Sequence, residues 1–168
     1  MLEHDDNTAL LISRYILDIA TYYEDEERYY TIPVKSLRKC LDQIIEKLPF
    51  IEVITKFQPV RQDDKYTLIS VLSAEEALKY YKSLYQSRAV ATDYVKMKCK
   101  EEVLFEDAAF GYYWLKDVSE NGADAAYINC VGELYPAENT IGLHVYDIRG
   151  VRPIIRINLS VFEEGLKF

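Results

Sequence analysis

Apolar and polar positions change rhythm near residue 110 of the chain. Before that point, Thr8 to Ile16 (TALLISRYI) is a β-rich apolar run and predicts a core strand. Residues 20–31 (ATYYEDEERYYT) are too polar and tyrosine-rich for a core element and read as a surface loop. Val34, Leu37, Leu41, Ile44, Ile45 and Leu48 then recur at helical spacing. They predict a helix that opens at Pro33, with Thr31 as N-cap, and stops at Pro49. Residues 50–58 (FIEVITKFQ) predict a strand, and Tyr66 to Val71 (YTLISV) another. Ser73-Ala74-Glu75-Glu76 is a capping box, in which the serine and the second glutamate each satisfy a backbone amide that the helix start leaves bare. It predicts a helix through about Leu84 and marks a helix terminus, not a catalytic pair. A short helix around Asp93 to Lys98 is expected inside the connection over residues 88–107.

Beyond residue 110 the pattern is set by glycine. Gly111, Gly122, Gly132, Gly142, Gly150 and Gly165 are the whole complement, so the earlier part turns without residues that take positive φ freely. A glycine roughly every ten residues reads as turns between short strands. Tyr112 to Leu115, Ala125 to Cys130, Glu133 to Tyr135, Leu143 to Tyr146 and Val151 to Leu159 are the strand candidates. The last alternates Val151, Pro153, Ile155, Ile157 and Leu159 against Arg152, Ile154, Arg156 and Asn158, which gives it two faces. Pro153 cannot donate to a ladder and belongs at a strand start or an edge. No linker or repeat divides the chain, so residues 1–168 are expected to form one α+β domain.

Composition narrows the function classes. The 168 residues carry 20 Lys+Arg against 28 Asp+Glu, a net charge of −8, with 49% hydrophobic residues. That apolar content excludes disorder, and no apolar run is long enough to span a bilayer. The acidic balance argues against nucleic acid as a partner, since a duplex binder needs clustered Lys and Arg. Glu3, Asp5 and Asp6 stand where a secretory leader would be basic. Together with three cysteines that show no disulfide framework, they favour a cytoplasmic location for the chain as given. Cys40, Cys99 and Cys130 lack CxxC spacing, and His4 and His144 lack any HxxxH or HExxH spacing, so no metal is expected. Neither a glycine-rich phosphate loop nor a Gly-x-Ser-x-Gly elbow is present, and no catalytic residue or cofactor is expected. The adjacent carboxylates Glu24-Asp25-Glu26-Glu27 do not converge on one point as Ca²⁺ requires, and read as a solvated acidic face.

Tyrosine is the outlier, with 15 in the chain beside one Trp and six Phe. Its rigid apolar ring and polar tip suit recognition surfaces. Tyr113, Trp114, Lys116, Asn121, Asp124, Tyr135, Asn139 and Tyr146, all in the glycine-punctuated part, are the candidate ligand-binding residues. The competing expectation is that about half of the aromatic residues there fill the core of the sheet. Arg152, in a Gly-Val-Arg-Pro strand, is expected to be a structural anchor, because a guanidinium has five donors to tie loop carbonyls together.

The ordered set Ala9-Leu10-Leu11-Ile12-Ser13-Arg14-Tyr15-Ile16-Leu17-Asp18, Ser36-Leu37-Arg38, Asp64 to Ser70, Ser73 to Ala77, Tyr113-Trp114-Leu115-Lys116, Ala125 to Asn129, Gly132 and Gly150-Val151-Arg152-Pro153 resembles a bacterial domain family of unknown function. That family in turn resembles the C-type-lectin-like fold, including its formylglycine-generating branch. The resemblance implies a twisted antiparallel sheet with two main helices and a long loop region that carries whatever binds. It also implies that Met1 falls inside a first strand that family members begin earlier. Lys116-Asp117-Val118-Ser119 replaces the Arg-Ser-Pro-Gly that the family shows after its tryptophan strand, so that turn is rebuilt here. The lectin calcium triplets are not matched: Pro136-Ala137-Glu138-Asn139 has the letters in the wrong order, and Trp114-Leu115-Lys116-Asp117 lacks the Asn. The copper enzymes of the formylglycine branch need paired thiolates, and only Cys130 lies in the strand-rich part. The expected function is non-catalytic recognition of a protein or glycan through the loops between Tyr112 and Gly150, by a monomer or small homo-oligomer. One alternative is an interaction protein that turns its acidic N-terminal loop towards a basic partner. Another is a copper-dependent, oxidase-like enzyme.

Overall fold

The computed structural model describes residues 1–4, 8–23, 35–48, 69–98, 111–139 and 144–158. The chain passes through strands β1 (Glu3–His4), β2 (Thr8–Ile12), β3 (Tyr15–Ile16), β4 (Asp18–Thr21) and β5 (Lys35–Ser36) into helix α1 (Leu37–Glu46). It continues through β6 (Ile69–Ser70), helices α2 (Ala74–Tyr80) and α3 (Leu84–Ser87), strand β7 (Val90–Ala91) and helix α4 (Asp93–Lys98). Strands β8 (Tyr113–Val118), β9 (Ala125–Ile128) and β10 (Leu134–Tyr135) follow, then a 3₁₀ turn (Ala137–Asn139), β11 (Arg149–Val151) and β12 (Ile154–Asn158).

These elements make a mixed α+β fold whose sheets do not close on themselves. One sheet has the order β1-β2-β12-β6, a second β10-β9-β8-β11-β4-β5, and β3 pairs with β7. The first is antiparallel throughout. The second is not the antiparallel sheet that the sequence suggested, since β11 runs parallel to β8 and β4 parallel to β5; the β3–β7 pair is parallel too.

The expected first strand is broken at Ser13, whose Oγ donates to Tyr15 O at 2.6 Å and turns the chain from one sheet towards the other. The expected loop at residue 20 is a correction. Ala20 and Thr21 are buried in β4, because Arg149 and Lys35 pair on either side of Ala20. The first helix also starts later than its apolar spacing implies. Lys35 and Ser36 are held extended by their pairing with Ala20 and Thr21, and only after them can the backbone coil. Thr31, Pro33, Pro49, residues 50–58 and the acidic stretch Glu24–Glu27 lie outside the described residues.

The capping box forms as its spacing requires. Ser73 Oγ accepts from Glu76 N at 3.1 Å and Glu76 Oε2 accepts from Ser73 N at 2.9 Å. A further cap comes from β8, where Asp117 Oδ2 accepts from Ala74 N at 2.6 Å. Helix α2 ends at Tyr80 and not at Leu84, because Tyr81 turns extended and Ser83 caps a new helix. The Leu143–Tyr146 strand is a turn in its described part, joined to its neighbour by a single Asp124–His144 bridge.

The six-stranded sheet is buried on both faces, which alternation along its strands makes visible. Tyr113, Leu115, Ala126 and Ile128 face a core shared with Ala77 of α2 and Val95 of α4. Trp114, Ala125 and Tyr127 face the opposite core, shared with Leu37, Cys40, Leu41 and Ile45 of α1. Trp114 is fully enclosed, and its indole N–H donates to Ala20 O at 2.8 Å.

Candidate functional site

Two strand corners meet where the sheets join. The chain bends between β2 and β4 and again at Arg152-Pro153 between β11 and β12. Ser13 N donates to Pro153 O and Leu17 N to Val151 O, each at 2.9 Å, so the corners are laced together. Arg152 points inward from this junction and is 7% exposed. Its Nε donates to Ser13 O at 3.0 Å. Its Nη1 lies 2.9 Å from Ser87 O and 3.0 Å from the hydroxyls of both Tyr81 and Tyr113. Tyr113 in turn donates to Ser87 O at 2.5 Å. The guanidinium sits over both tyrosine rings, 5.3 and 5.5 Å from their centroids. Among the described residues no carboxylate pairs with this cation, so neutral oxygens and π faces satisfy it. Burial pushes the Tyr113 hydroxyl well above its usual value and raises that of Tyr81. Both remain protonated at neutral pH, which suits a scaffold and not acid–base chemistry.

The corner cluster supports a surface groove of about 500 Å³. One wall comes from α2, α3 and their connection, with Ala77, Leu78, Tyr81, Lys82 and Leu84; the other comes from β9, the turn after it and β10, with Ile128, Gly132, Glu133 and Leu134. Ser87 ties the walls: its Oγ lies 2.6 Å from Gly132 O and 2.8 Å from Leu84 O, with one hydroxyl hydrogen shared between the two carbonyls. Gly132 is required there. Its φ is +94°, and a Cβ would come within 2.1 Å of Leu84 O. Asn129 closes the same turn, its Oδ1 accepting from Val131 N and Glu133 N at 3.0 and 2.9 Å. Two of the lining side chains are apolar and stand in water, Leu78 (68% exposed) and Leu84 (55%), and the residues next in the chain to Leu84 and Gly132, Tyr85 and Val131, are exposed as well. Exposed apolar residues are ordinary singly; here two of them line one apolar cleft.

On the other face of β9 and β10 three tyrosines form a ladder. Tyr112 and Tyr127 have ring centroids 5.9 Å apart, and Tyr127 stacks on Tyr135 at 4.8 Å. Arg149 lies over Tyr112 at 5.5 Å and Trp114 at 6.0 Å, with Asp147 3.6 Å away. Burial pulls its guanidinium down against the opposing pull of Asp147.

The candidate residues from the sequence fall into separate groups. Tyr113 and Trp114 are interior, on opposite faces of β8 and out of reach of a surface ligand. Lys116 is exposed, and its carbonyl accepts from the Tyr22 hydroxyl. Asn121 closes a turn, its Oδ1 accepting from Ser119 Oγ at 2.8 Å and Ala123 N at 2.9 Å. Asp124 bridges to His144, on which Tyr146 stacks at 5.3 Å, so Asn121, Asp124 and Tyr146 gather at one end of β9. Tyr135 is paired with Tyr127, about 10 Å further along that strand, and borders the groove through its neighbour Leu134. Asn139 ends the 3₁₀ turn. Leu78, Leu84 and Tyr85 were missed. Leu78 alone had a signal, falling one position off the face of Ala74, Ala77 and Tyr81; Leu84 and Tyr85 are in phase with that face and are exposed because the helix breaks at Tyr81.

Among the described residues no group of His, Cys, Asp and Glu is placed to hold a metal ion, and no helix is long and apolar enough to cross a membrane. Cys40 is buried beside Asp18, and burial pushes its thiol far up; Cys130 is half-buried, and Cys99 lies outside the described residues.

No protein-family model matches the chain, nor does any curated protein or solved structure.

Proposed function

We propose that this protein is a non-catalytic recognition module of C-type-lectin-like architecture that binds a protein ligand at the groove between α2–α3 and the β9–β10 turn. Two features support the architecture: the pairing of β2 with β12, strands from near the two ends of the described chain, and the glycine-turned run β8-β9-β10 between them. The binding reading rests on one observation, the collection of exposed apolar side chains around an apolar groove with fixed walls. A protein ligand is favoured over a glycan because the rim is aliphatic as well as aromatic. Leu78 and Leu84 offer sugar hydroxyls nothing to bond.

A phage-displayed library of random dodecapeptides, panned on the wild-type protein, tests this. The expected result is enrichment of peptides with apolar side chains that lose binding to a Leu78→Asp/Leu84→Asp variant. The exposed aspartates leave the fold intact, which circular dichroism checks. A glycan array run in parallel supplies the competing outcome. Groove-dependent glycan binding, or failure to enrich any peptide sensitive to the double variant, overturns the proposal.

A further inference from the structure

We infer that the ligand of this groove is an extended peptide that adds a strand to the edge of β10, with an apolar side chain in the groove and basic residues flanking it. The inference rests on the reading that the groove is the binding site, and it follows from the hydrogen-bond phase of β10.

Asn129 N donates to Glu133 O at 2.9 Å, which makes Asn129 and Glu133 a hydrogen-bonded pair across the hairpin. Pairs alternate in an antiparallel ladder, so Leu134, opposite Ile128, turns its N–H and C=O away from β9. Among the described residues β10 is an edge of its sheet with β9 as its one neighbour, and this phase leaves both main-chain groups of Leu134 without a ladder partner. The side chain of Leu134 lines the groove. One residue therefore offers an incoming strand both main-chain hydrogen bonds and an adjoining apolar slot, the combination that strand addition uses. Pro136 follows at once and has no N–H, so pairing is confined to a short bridge, and side chains in the groove must supply the rest of the affinity.

Charge selects the occupant. Glu133 and Glu138 bracket β10 and are both exposed, on a chain whose net charge is −8. A strand with Lys or Arg on either side of its apolar residue meets opposite charge at both ends. A second copy of this chain, paired edge to edge about a two-fold axis, would set these glutamates against each other and is disfavoured.

The experiment takes the dodecapeptides recovered by panning, made synthetically with a single backbone N-methyl group moved along each. N-methylation removes one main-chain donor and leaves the side chains. At the amide that faces Leu134 O it should lower affinity about tenfold by fluorescence polarisation, the worth of one hydrogen bond, with little effect at the amides on either side. The peptides should be enriched in Lys and Arg beside the apolar residue, and Glu138→Lys should weaken them about two- to fivefold at low salt. Peptides that depend on Leu78 and Leu84 but tolerate N-methylation at every position, or that are acidic, would overturn strand addition while leaving the groove as the binding site. Absence of any groove-dependent peptide removes both readings together.

Discussion

Replacing Arg152 by Met tests whether one buried cation holds the two strand corners together. Met keeps much of the apolar stem but no donor. Ser87 O retains the Tyr113 hydroxyl at 2.5 Å, whereas Ser13 O and the hydroxyls of Tyr81 and Tyr113 lose the donors now 3.0 Å from them. Each buried acceptor left bare costs about 1–3 kcal/mol. Against this stands the relief of a desolvated charge, which in other buried networks has offset the whole loss. With three acceptors deprived of a donor, two of them hydroxyls that can reorient, and part of that relief, the net destabilisation is about 3 kcal/mol. Arg152→Lys restores charge, but one ammonium cannot reach Ser13 O and the Ser87–tyrosine group together, so it should recover only about a third of the loss. The sole tryptophan, Trp114, is fully buried and reports unfolding by its fluorescence. At a urea m-value of about 2 kcal/mol/M the Met variant's midpoint falls by about 1.5 M, with m unchanged. A loss below about 1 kcal/mol, or a Lys variant as stable as wild type, would refute the reasoning.

Two further outcomes follow from the geometry. Gly132→Ala should destabilise by more than about 3 kcal/mol, because its Cβ meets Leu84 O at 2.1 Å and Ser87 Oγ at 2.5 Å, while Gly122→Ala, with φ +70° and open space around it, should cost only about 1–2 kcal/mol; equal losses in urea melts would contradict the locked-wall account. Burial pushes Tyr22 and Tyr127 up to about 12, above the value of about 10 in the unfolded chain. Their contribution to stability is thus complete below pH 10 and drains away as pH rises through 12. Absorbance titration at 295 nm should show these phenols ionising late, together with falling urea midpoints; a folded protein in which every tyrosine titrates near 10 would refute it.

What the sequence disclosed was local. Ser73 to Glu76 specify a helix start through bonds three residues apart, and no distant partner is needed to read it. Gly132 likewise marks its turn. Lys35 and Ser36 were read as helix because the strand they join, β4, lies elsewhere in the sequence and nothing in their own residue types records the pairing. Tyr113 and Trp114 were candidates for a surface because β8 looks the same in sequence whether one face or both are covered. Only the packing of α1 on one side and of α2 and α4 on the other decides. The groove was illegible for a similar reason. Leu78 and Leu84 belong to one stretch of chain and Gly132 and Leu134 to another, and what brings them together is Ser87 bonding to a carbonyl across the gap.

The position of β12 carries a consequence for how the molecule is made. It lies between β2 and β6, so the sheet it completes has no centre until Ile154 to Asn158 have left the ribosome. Until then β2 and β6 each present a bare edge, and the corner that Arg152 closes is open. Pairings of such wide sequence separation form slowly. During synthesis the nascent chain is therefore most exposed to chaperones and to mispairing just before β12 is threaded into place.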